Sequence, residues 1–294
     1  MKIRILLGML LMLAVTGAWA ATRPNIVVEG VQLPAWVEHP NGGREALGIG
    51  LALGNKDRVY TGPGSRVVLR LAEGSLVKLG ENGILELDEL GQRKVSLKDV
   101  VTASLDVLKG AFRFTSQTIY KFRGERDVQI RAVTITAGIR GTDVWAKADA
   151  TRDIVCLIDG TITVTHANNA FTMDQPMSFY IVPKTGPAQP VGPVSREQFG
   201  TWQTETEFTA GAGVQQKGGK WRIYLAEAPN QEEALALYDR LRLAGYAAQI
   251  RPLKGESSIT YHVRIANLVS EQDANTLAAR IKTEFGIAAL KVSR

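Results

Sequence analysis

The sequence predicts a multidomain protein in which an all-β domain precedes a small α+β domain with the element order βαββαβ. Between residues 21 and 182, alternating segments are separated by glycine-rich turns at roughly the 8–12-residue spacing of sandwiches and barrels. From residue 220 onward the pattern changes to strand, helix, strand, and it occurs twice. Of the 294 residues, 45% are hydrophobic, so both domains have enough apolar residues for a core.

Residues 1–20 have the features of a cleavable signal peptide. Lys2 and Arg4 form a basic segment, residues 5–15 are apolar, and residues 18–20 offer the small residues that a signal peptidase reads. The apolar run is too short to cross a bilayer of about 30 Å. We therefore expect a soluble mature chain in the periplasm of a Gram-negative cell, with an uncleaved anchor as the alternative.

Charge and cysteine content exclude some classes of function. Removing the signal segment takes two basic groups, so the formal charge falls from +6 to 6 − 2 = +4. This mild excess is compatible with an anionic cell-wall partner and does not indicate nucleic acid. The single cysteine, Cys156, lies in an apolar segment, so we expect a core residue and no intrachain disulfide.

Residues 21–182 read as β throughout, and no amphipathic helix interrupts them. The alternation predicts strands at 59–61, 65–71, 76–79, 84–87, 111–114, 128–130, 133–136, 143–148, 154–158 and 161–165. The turns between them contain Gly-Pro-Gly and similar signals. The pattern does not distinguish a sandwich from an elongated, solenoid-like stack of strands.

Residues 183–219 read as a linker. Four prolines interrupt residues 183–193. One short helix is predicted from Ser195 to Glu207, with Ser195 as its N-cap and Phe199 and Trp202 on one face. Residues 211–219, rich in glycine, predict a flexible tether. The domain boundary is placed at residue 220.

Residues 220–294 contain an internal repeat with an offset of about forty residues. The segments 221–226 and 261–266 alternate as strands. Each is followed by a cap residue with an acid three places later, Asn230 with Glu233 and Ser270 with Asp273. Shorter strands are predicted at 247–251 and 288–292. Two βαβ units in tandem predict a ferredoxin-like, four-stranded antiparallel sheet with both helices on one face.

Alternation assigns the two faces of this sheet. The apolar face is predicted to contain Trp221, Ile223, Leu225, Tyr261, Val263 and Ile265, packed against helix residues Ala234, Leu237, Leu241, Ala274, Leu277 and Ile281. Arg222, Tyr224, His262 and Arg264 point the other way, so they form the candidate ligand-binding residues. The alternatives are that the arginines only solvate an open sheet, and that Tyr224 and His262 form a cross-strand packing pair.

The repeat resembles the SPOR (sporulation-related repeat) domain family. Residues 221–228 read WRIYLAEA, so Tyr224 stands at the usual Gln position, and Ala-Glu-Ala replaces the Gly-Ser-Phe turn. The third strand, YHVRI at 261–265, matches better, with Ser270 and Ala274 at the expected spacing. The resemblance implies binding of the open sheet face to peptidoglycan, in particular to glycan strands without stem peptides, and a role near the division site.

The chemistry of the four residues suits a glycan. A sugar ring has an apolar face that can lie on Tyr224. Arg222, Arg264 and His262 can donate hydrogen bonds to hydroxyl, N-acetyl and carboxylate groups. We therefore predict a glycan site at Arg222, Tyr224, His262 and Arg264.

The all-β domain resembles the FecR domain. One signature is NKDRVYTG at 55–62 followed by LRLAEGS at 69–75, and the second is GIRGTDV at 138–144 followed by DGTITV at 159–164. The resemblance covers roughly residues 26–166 and implies an extended periplasmic domain that docks on another protein. FecR-family members that carry outer-membrane signals to a sigma factor have a cytoplasmic N-terminal segment. Here a signal peptide is predicted instead.

No catalytic constellation is evident. None of the three histidines, His39, His166 and His262, has a second ligand at metal-binding sequence spacing. Asp143, Asp153 and Asp159 fit strand ends and turns as well as they fit a carboxylate set. The sequence therefore predicts no enzyme activity, no cofactor and no metal.

These observations predict a periplasmic, non-enzymatic adaptor. Its C-terminal domain would bind denuded peptidoglycan strands, and its β-domain would dock an unidentified envelope protein. We expect no nucleic-acid partner and no membrane span after signal cleavage. Three alternatives stay open: a FecR-type signalling regulator, a cell-wall-modifying enzyme such as a glycan hydrolase, and a C-terminal domain that binds only protein.

Overall fold

The computed structural model describes residues 26–95, 98–116, 125–139, 141–255 and 258–294. The predicted signal peptide, residues 1–20, and Arg140 of the second FecR signature lie outside these ranges. Within the ranges, no helix is long and apolar enough to cross a membrane.

The first part of the chain consists of strands. They are β1 (Ile26–Gln32), β2 (Ala35–Glu38), β3 (Arg44–Ala46), β4 (Ala52–Leu53), β5 (Arg58–Thr61), β6 (Arg66–Leu71), β7 (Leu76–Leu79), β8 (Ile84–Val95), β9 (Lys98–Thr115), β10 (Glu125–Ala132), β11 (Ile135–Ile139), β12 (Asp143–Ala148), β13 (Arg152–Asp159), β14 (Ile162–His166), β15 (Asn169–Met173), β16 (Ser178–Pro183) and β17 (Gly192–Pro193).

The second part contains the helices. Its elements are α1 (Arg196–Thr206), β18 (Val214–Gln216), β19 (Trp221–Ala228), α2 (Gln231–Leu243), β20 (Gln249–Lys254), β21 (Ile259–Leu268), α3 (Glu271–Phe285) and β22 (Lys291–Ser293).

Strands β1–β17 form two sheets, which together we call the β-lobe. Sheet 1 has the order β1–β6–β7–β9–β12–β13–β16–β17, with β4 and β18 beside β1. Sheet 2 has the order β3–β2–β5–β8–β9–β10–β11–β14–β15. Strand β9 belongs to both sheets, because it bends at Gly110. The φ angle of Gly110 is 88°, a conformation that favours glycine. The β-lobe is therefore a sandwich rather than a solenoid.

The two sheets share one apolar core. Fully buried side chains alternate along the strands, as the period of a pleated strand requires. Examples from sheet 1 are Val28, Leu69, Val77 and Phe112, and from sheet 2 Val37, Val59, Leu85 and Leu105. Each such burial stabilises the fold by roughly 1.5–3 kcal/mol.

Most predicted strands are present, β1–β4 and β15–β17 were not predicted individually, and two further regions differ. Strands β8 and β9 are much longer than predicted, because they pair as one hairpin whose middle residues lack clear alternation. The predicted start of the strand at 133–136 was wrong. Val133 has a φ of 45° in a turn, and the strand begins at Ile135.

The predicted linker helix is confirmed as α1. The Ser195 side chain accepts a hydrogen bond from the Gln198 backbone N–H at the N-cap. Trp202 of this helix is buried and stacks on Trp145 of sheet 1, with ring centroids 4.8 Å apart. Cys156 lies in the same small cluster, as predicted for a core residue, and burial raises the pKa of its thiol to about 12.

The prediction of a flexible tether at 211–219 was wrong. Strand β18 pairs with β1 of the β-lobe and, through Gln215 and Leu268, with β21. The buried carboxylate of Asp273 accepts hydrogen bonds from the backbone N–H groups of Gly213 and Val214, both at 3.0 Å. The glycines here serve close packing, since a Cβ at Gly219 would lie 2.1 Å from the carbonyl oxygen of Asn267.

Strands β19–β22 and helices α2 and α3 form the C-terminal module. Its antiparallel strand order is β20–β21–β19–β22, as predicted for two tandem βαβ units. Both predicted caps are present, at Asn230 and Ser270. The short strands begin later than predicted, at Gln249 and Lys291. The predicted apolar residues are buried, except that Trp221, Leu237 and Tyr261 are half-buried.

The helix side of this module packs on the β-lobe. The Ala35 backbone N–H donates to the Gly245 carbonyl at 3.0 Å, and Arg280 donates to the Leu33 carbonyl. Arg242 forms an ion pair with Glu45 at 2.9 Å. These contacts lie on the helix side of the module's sheet.

Candidate functional site

The four predicted site residues lie together on the open face of the C-terminal sheet. Tyr224 pairs with Arg264 across β19 and β21, and both Arg222 and His262 lie on the same side. All four are half-buried. The hydrogen bonds and the ion pair described above join the module to the β-lobe on its helix side, so we treat this sheet face as the candidate ligand surface.

Tyr224 lies at the centre of this face. The guanidinium groups of Arg222 and Arg264 lie near enough to its hydroxyl to affect the hydroxyl's pKa. Partial burial by itself would raise the pKa of the Tyr224 hydroxyl, but the two guanidinium groups outweigh burial and lower that pKa. The two arginines therefore give the surroundings of the Tyr224 hydroxyl a positive charge.

His262 has two neighbours on the face. Its ring lies edge-on to Tyr224, with centroids 5.6 Å apart, which confirms the packing pair considered from the sequence. Its Nε2 atom lies 3.5 Å from Glu227 Oε2. Because both sides of the imidazole are in contact, His262 is better suited to hold Tyr224 than to bind a ligand by itself.

Sequence reasoning missed two cations of this face. Strand pairing places Lys291 opposite Tyr224, and Arg251 opposite His262. Paired residues share a face, so Arg251 and Lys291 join the predicted arginines. We call Arg222, Arg251, Arg264 and Lys291, with Tyr224 between them, the cationic face. Lys291, Tyr224 and Arg264 lie in one row across the sheet, which ends at Gln249 of β20. This row crosses four strands and so spans about 14 Å.

The charges of the cationic face are largely uncompensated. Among the described residues, no carboxylate forms an ion pair with Arg222, Arg251, Arg264 or Lys291. Glu227 is the acid nearest to the group, through His262. The face can therefore attract an anionic ligand while Tyr224 offers it an apolar surface.

The outer face of sheet 2 carries a second charged group. Glu86, Asp88 and Asp106 lie within 4.8 Å of one another, in an arrangement that could hold a cation. Arg131 binds Asp106 through two hydrogen bonds of 2.6 and 2.9 Å and reaches Asp88 at 2.5 Å. Arg58 forms an ion pair with Glu86, and Lys56 forms one with Asp88. Each of the three acids has a cationic partner, so the group is an ion-pair network.

His39 lies in a third charged group, at the contact between the β-lobe and the C-terminal module. Its Nδ1 atom is 2.7 Å from Asp57 Oδ1, and its Nε2 atom is 3.2 Å from Glu45 Oε1. The Asp57 hydrogen bond, with help from Glu45, raises the pKa of His39 although partial burial opposes it. Sequence spacing did not reveal this group, because its members are separated along the chain.

The remaining carboxylates considered as a catalytic set do not all meet, because Asp159 pairs with Asp143 across β12 and β13 while Asp153 lies at the other end of β13. Asp143 pairs with Arg113 at 2.7 Å, and the buried Asp153 pairs with Lys184 at 2.7 Å. Asp159 lies at the end of β13. The structure therefore does not bring Asp143, Asp153 and Asp159 into one site, and it gives the first two an ion-pair role.

Comparison with known proteins gives one family match. The family model described as FecR protein matches residues 57–163, which lie within the β-lobe. This match is narrower than the predicted range of 21–182. No curated relative matches the sequence. The SPOR resemblance of residues 220–294 stays a prediction.

Two solved structures show weak likeness. They are crystal structures, at 2.50 and 1.65 Å resolution, of a proposed anti-sigma factor from Parabacteroides distasonis ATCC 8503. They are 13% and 14% identical to this chain, with TM-scores of 0.39 and 0.38, over 80% of this chain and 99% of theirs. Scores this low do not establish a shared fold.

Proposed function

We propose that this protein is a FecR-type regulator of the cell envelope, which acts by binding and not by catalysis. The observation that carries the proposal is the FecR match at residues 57–163. FecR proteins are in general envelope-associated and regulatory. The β-lobe would dock a protein partner of the signalling system, while the C-terminal module supplies a separate binding face.

The contact between the two parts supports a regulatory role. The C-terminal module is attached through β18, which is hydrogen-bonded to β1 on one side and to β21 on the other. A ligand on the module is thus mechanically linked to the strand that begins the β-lobe. Binding energy at one part can change how the other part is presented to a partner.

Transcription in the native host tests this function. Deletion of the gene should change the expression of a defined set of genes that depends on an extracytoplasmic sigma factor, and the wild-type gene should restore it. A variant with Trp202→Ala, which leaves the sheets but removes the α1 contact on sheet 1, should restore expression only in part. An unchanged expression profile under envelope stress would overturn the proposal.

A second candidate function is the binding of denuded peptidoglycan strands by the cationic face. The aromatic ring of Tyr224 with two arginines on the same sheet face favours it, because a sugar ring can stack on the phenol while the guanidinium groups reach its substituents. Glycan binding would place the regulator where bare strands accumulate, as at the division site. It would also give the FecR domain a wall-derived signal.

Pelleting with amidase-treated sacculi tests the second candidate. Tyr224→Ala with Arg264→Ala should reduce the bound fraction at least tenfold. The matched control is Tyr60→Ala with Arg58→Ala, an equivalent aromatic and arginine pair on sheet 2. Equal binding by the wild type and the Tyr224/Arg264 variant would exclude this face. Release of soluble sugar fragments during incubation would instead favour a wall-modifying enzyme.

A further inference from the structure

We propose that a cleft at the joint between the β-lobe and the C-terminal module binds a sugar residue that carries a carboxylate. The cleft, which we call the joint cleft, has a volume of about 350 Å³. It is lined by Gln216, Lys217, Lys220, Trp221, Val269 and Arg294, together with the backbone of Gly218 and Gly219. It lies beside the cationic face and is distinct from it.

The positive charge of the residues that line the cleft favours an anionic ligand. Lys217, Lys220 and Arg294 line the cleft, and no acidic residue does. Among the described residues none of the three forms an ion pair. A main-chain carboxylate at Arg294 would still leave the lining at 3 − 1 = +2. Three donors from two lysines and an arginine can surround one carboxylate and strengthen its hydrogen bonds.

The shape and the aromatic wall select a sugar body rather than a bare ion. The volume is near the lower end of ligand pockets, which run from about 300 to 1,000 Å³. Trp221 is half-buried and lines the cleft, while it also packs against the apolar core. An aromatic ring next to cations and the Gln216 amide suits a ligand with one apolar face, several hydroxyl groups and one negative charge.

The backbone of the joint cleft is held in place before any ligand binds. The Gly219 N–H donates to the Gln216 carbonyl at 2.9 Å, and the Lys217 N–H donates to the Glu29 carbonyl of β1 at 3.3 Å. Gly218 has a φ of 88°, which favours glycine. A fixed turn positions Lys217 and Lys220 on either side of the two glycines, so a ligand would not have to order the loop.

The joint cleft lies where the C-terminal module is connected to the β-lobe, so a ligand there can affect both parts. The turn 217–220 connects β18, which pairs with the β-lobe, to β19, the central strand of the cationic face. A ligand that contacts both Lys217 and Lys220 would bridge the two parts. The proposal stands without glycan binding at the cationic face, because a different set of residues carries it.

Amide and indole NMR titration of the mature chain with galacturonate tests the proposal. Galacturonate should shift the Gly218 and Gly219 amide signals and the Trp221 indole signal, and neutral galactose should not. Lys217→Ala with Lys220→Ala should weaken the titration at least tenfold. The control, Lys254→Ala with Lys282→Ala, removes two exposed cations that belong neither to the joint cleft nor to the cationic face, and it should titrate as the wild type does.

Three results would overturn the proposal. They are no shift at the three signals, an unchanged titration in the Lys217/Lys220 variant, and a response to inorganic phosphate as strong as that to galacturonate. The last result would mean a simple anion site without sugar selectivity. Because sacculus binding is scored through Tyr224 and Arg264, failure at the cationic face and failure at the joint cleft can be told apart.

Discussion

The outer face of sheet 2 and the cationic face of the C-terminal module both present arginine and lysine side chains to solvent, but they neutralise them differently. On sheet 2, each of Lys56, Arg58 and Arg131 has a carboxylate partner on a neighbouring strand. On the cationic face no described carboxylate pairs with Arg251 or Lys291. The first arrangement stabilises the sheet, and the second leaves charge available for a ligand.

The contrast shows why residue type alone does not identify a site. By residue type alone, the three acids of sheet 2 would suit a metal ion, and the arginines of β19 and β21 would suit a solvated surface. Cross-strand pairing reverses both interpretations, because it determines which charges meet an opposite charge within the fold.

The largest effect is expected from reversing a charge inside the sheet 2 network. Arg131→Glu would place a carboxylate beside Asp88 and Asp106, which then lose their shared partner. We expect the free energy of unfolding to fall by about 2 kcal/mol, because charged hydrogen bonds are lost and like charges meet. Urea denaturation at neutral pH measures this, and a loss below about 0.5 kcal/mol would contradict the network's role.

The same reversal on the cationic face should act on binding and not on stability. Arg264→Glu would bring a carboxylate next to Tyr224, and sacculus binding should fall at least tenfold, about 1.4 kcal/mol. The free energy of unfolding should change by less than about 0.5 kcal/mol, as for most surface substitutions. A large loss of stability would mean that this arginine supports the fold in the way Arg131 does.

Salt should separate the two faces with a smaller effect. Raising the ionic strength from about 0.1 to 1 M shortens the Debye length from about 10 to 3 Å. Ligand binding at the cationic face should weaken severalfold, while the close contacts of Arg131 with Asp106 keep most of their strength. Pelleting and urea denaturation at the two salt concentrations compare them. Salt-independent binding would argue against an electrostatic ligand site.

The smallest effect is expected at His39, where the charge itself depends on pH. The groups that face it are Asp57, Glu45 and, through Glu45, Arg242 of α2. Since its folded pKa is raised above 6.5, its contribution is complete below that value and is lost as the pH rises through the folded pKa. The wild type should lose up to about 1 kcal/mol more than His39→Gln between pH 6 and 8. Parallel pH profiles of the two proteins would contradict this.

Several parts of the candidate site could be predicted from sequence, and others could not. Alternation placed Arg222, Tyr224, His262 and Arg264 on one side of the sheet, because side-chain direction in a strand depends on the nearest residues. Arg251 and Lys291 could not be placed, because their strands are short and their boundaries shifted by two or three residues. A shift of one residue would reverse the face, and only the pairing register resolves it.

The linker gives the same lesson for the fold. Its glycines predicted flexibility, yet residues 214–216 form the strand that joins the two parts. Glycine permits a mobile chain, and it also permits a close approach that a side chain would prevent. Nothing in the local composition distinguishes these cases. The decisive group, Asp273, lies far along the chain.

Local patterns in the chain were sufficient to reveal the strands, the two caps, the tandem βαβ units and the buried nature of Cys156. Each of these depends on residues within a few positions of one another, where sterics and hydrogen bonding act directly. Long-range contacts determined that the two sheets pack as a sandwich and that β18 pairs with both parts of the molecule. They also determined the partners of His39 and the full set of cations around Tyr224. Those features depend on which distant strands meet and in which register, and the free energy of that choice belongs to the folded molecule as a whole.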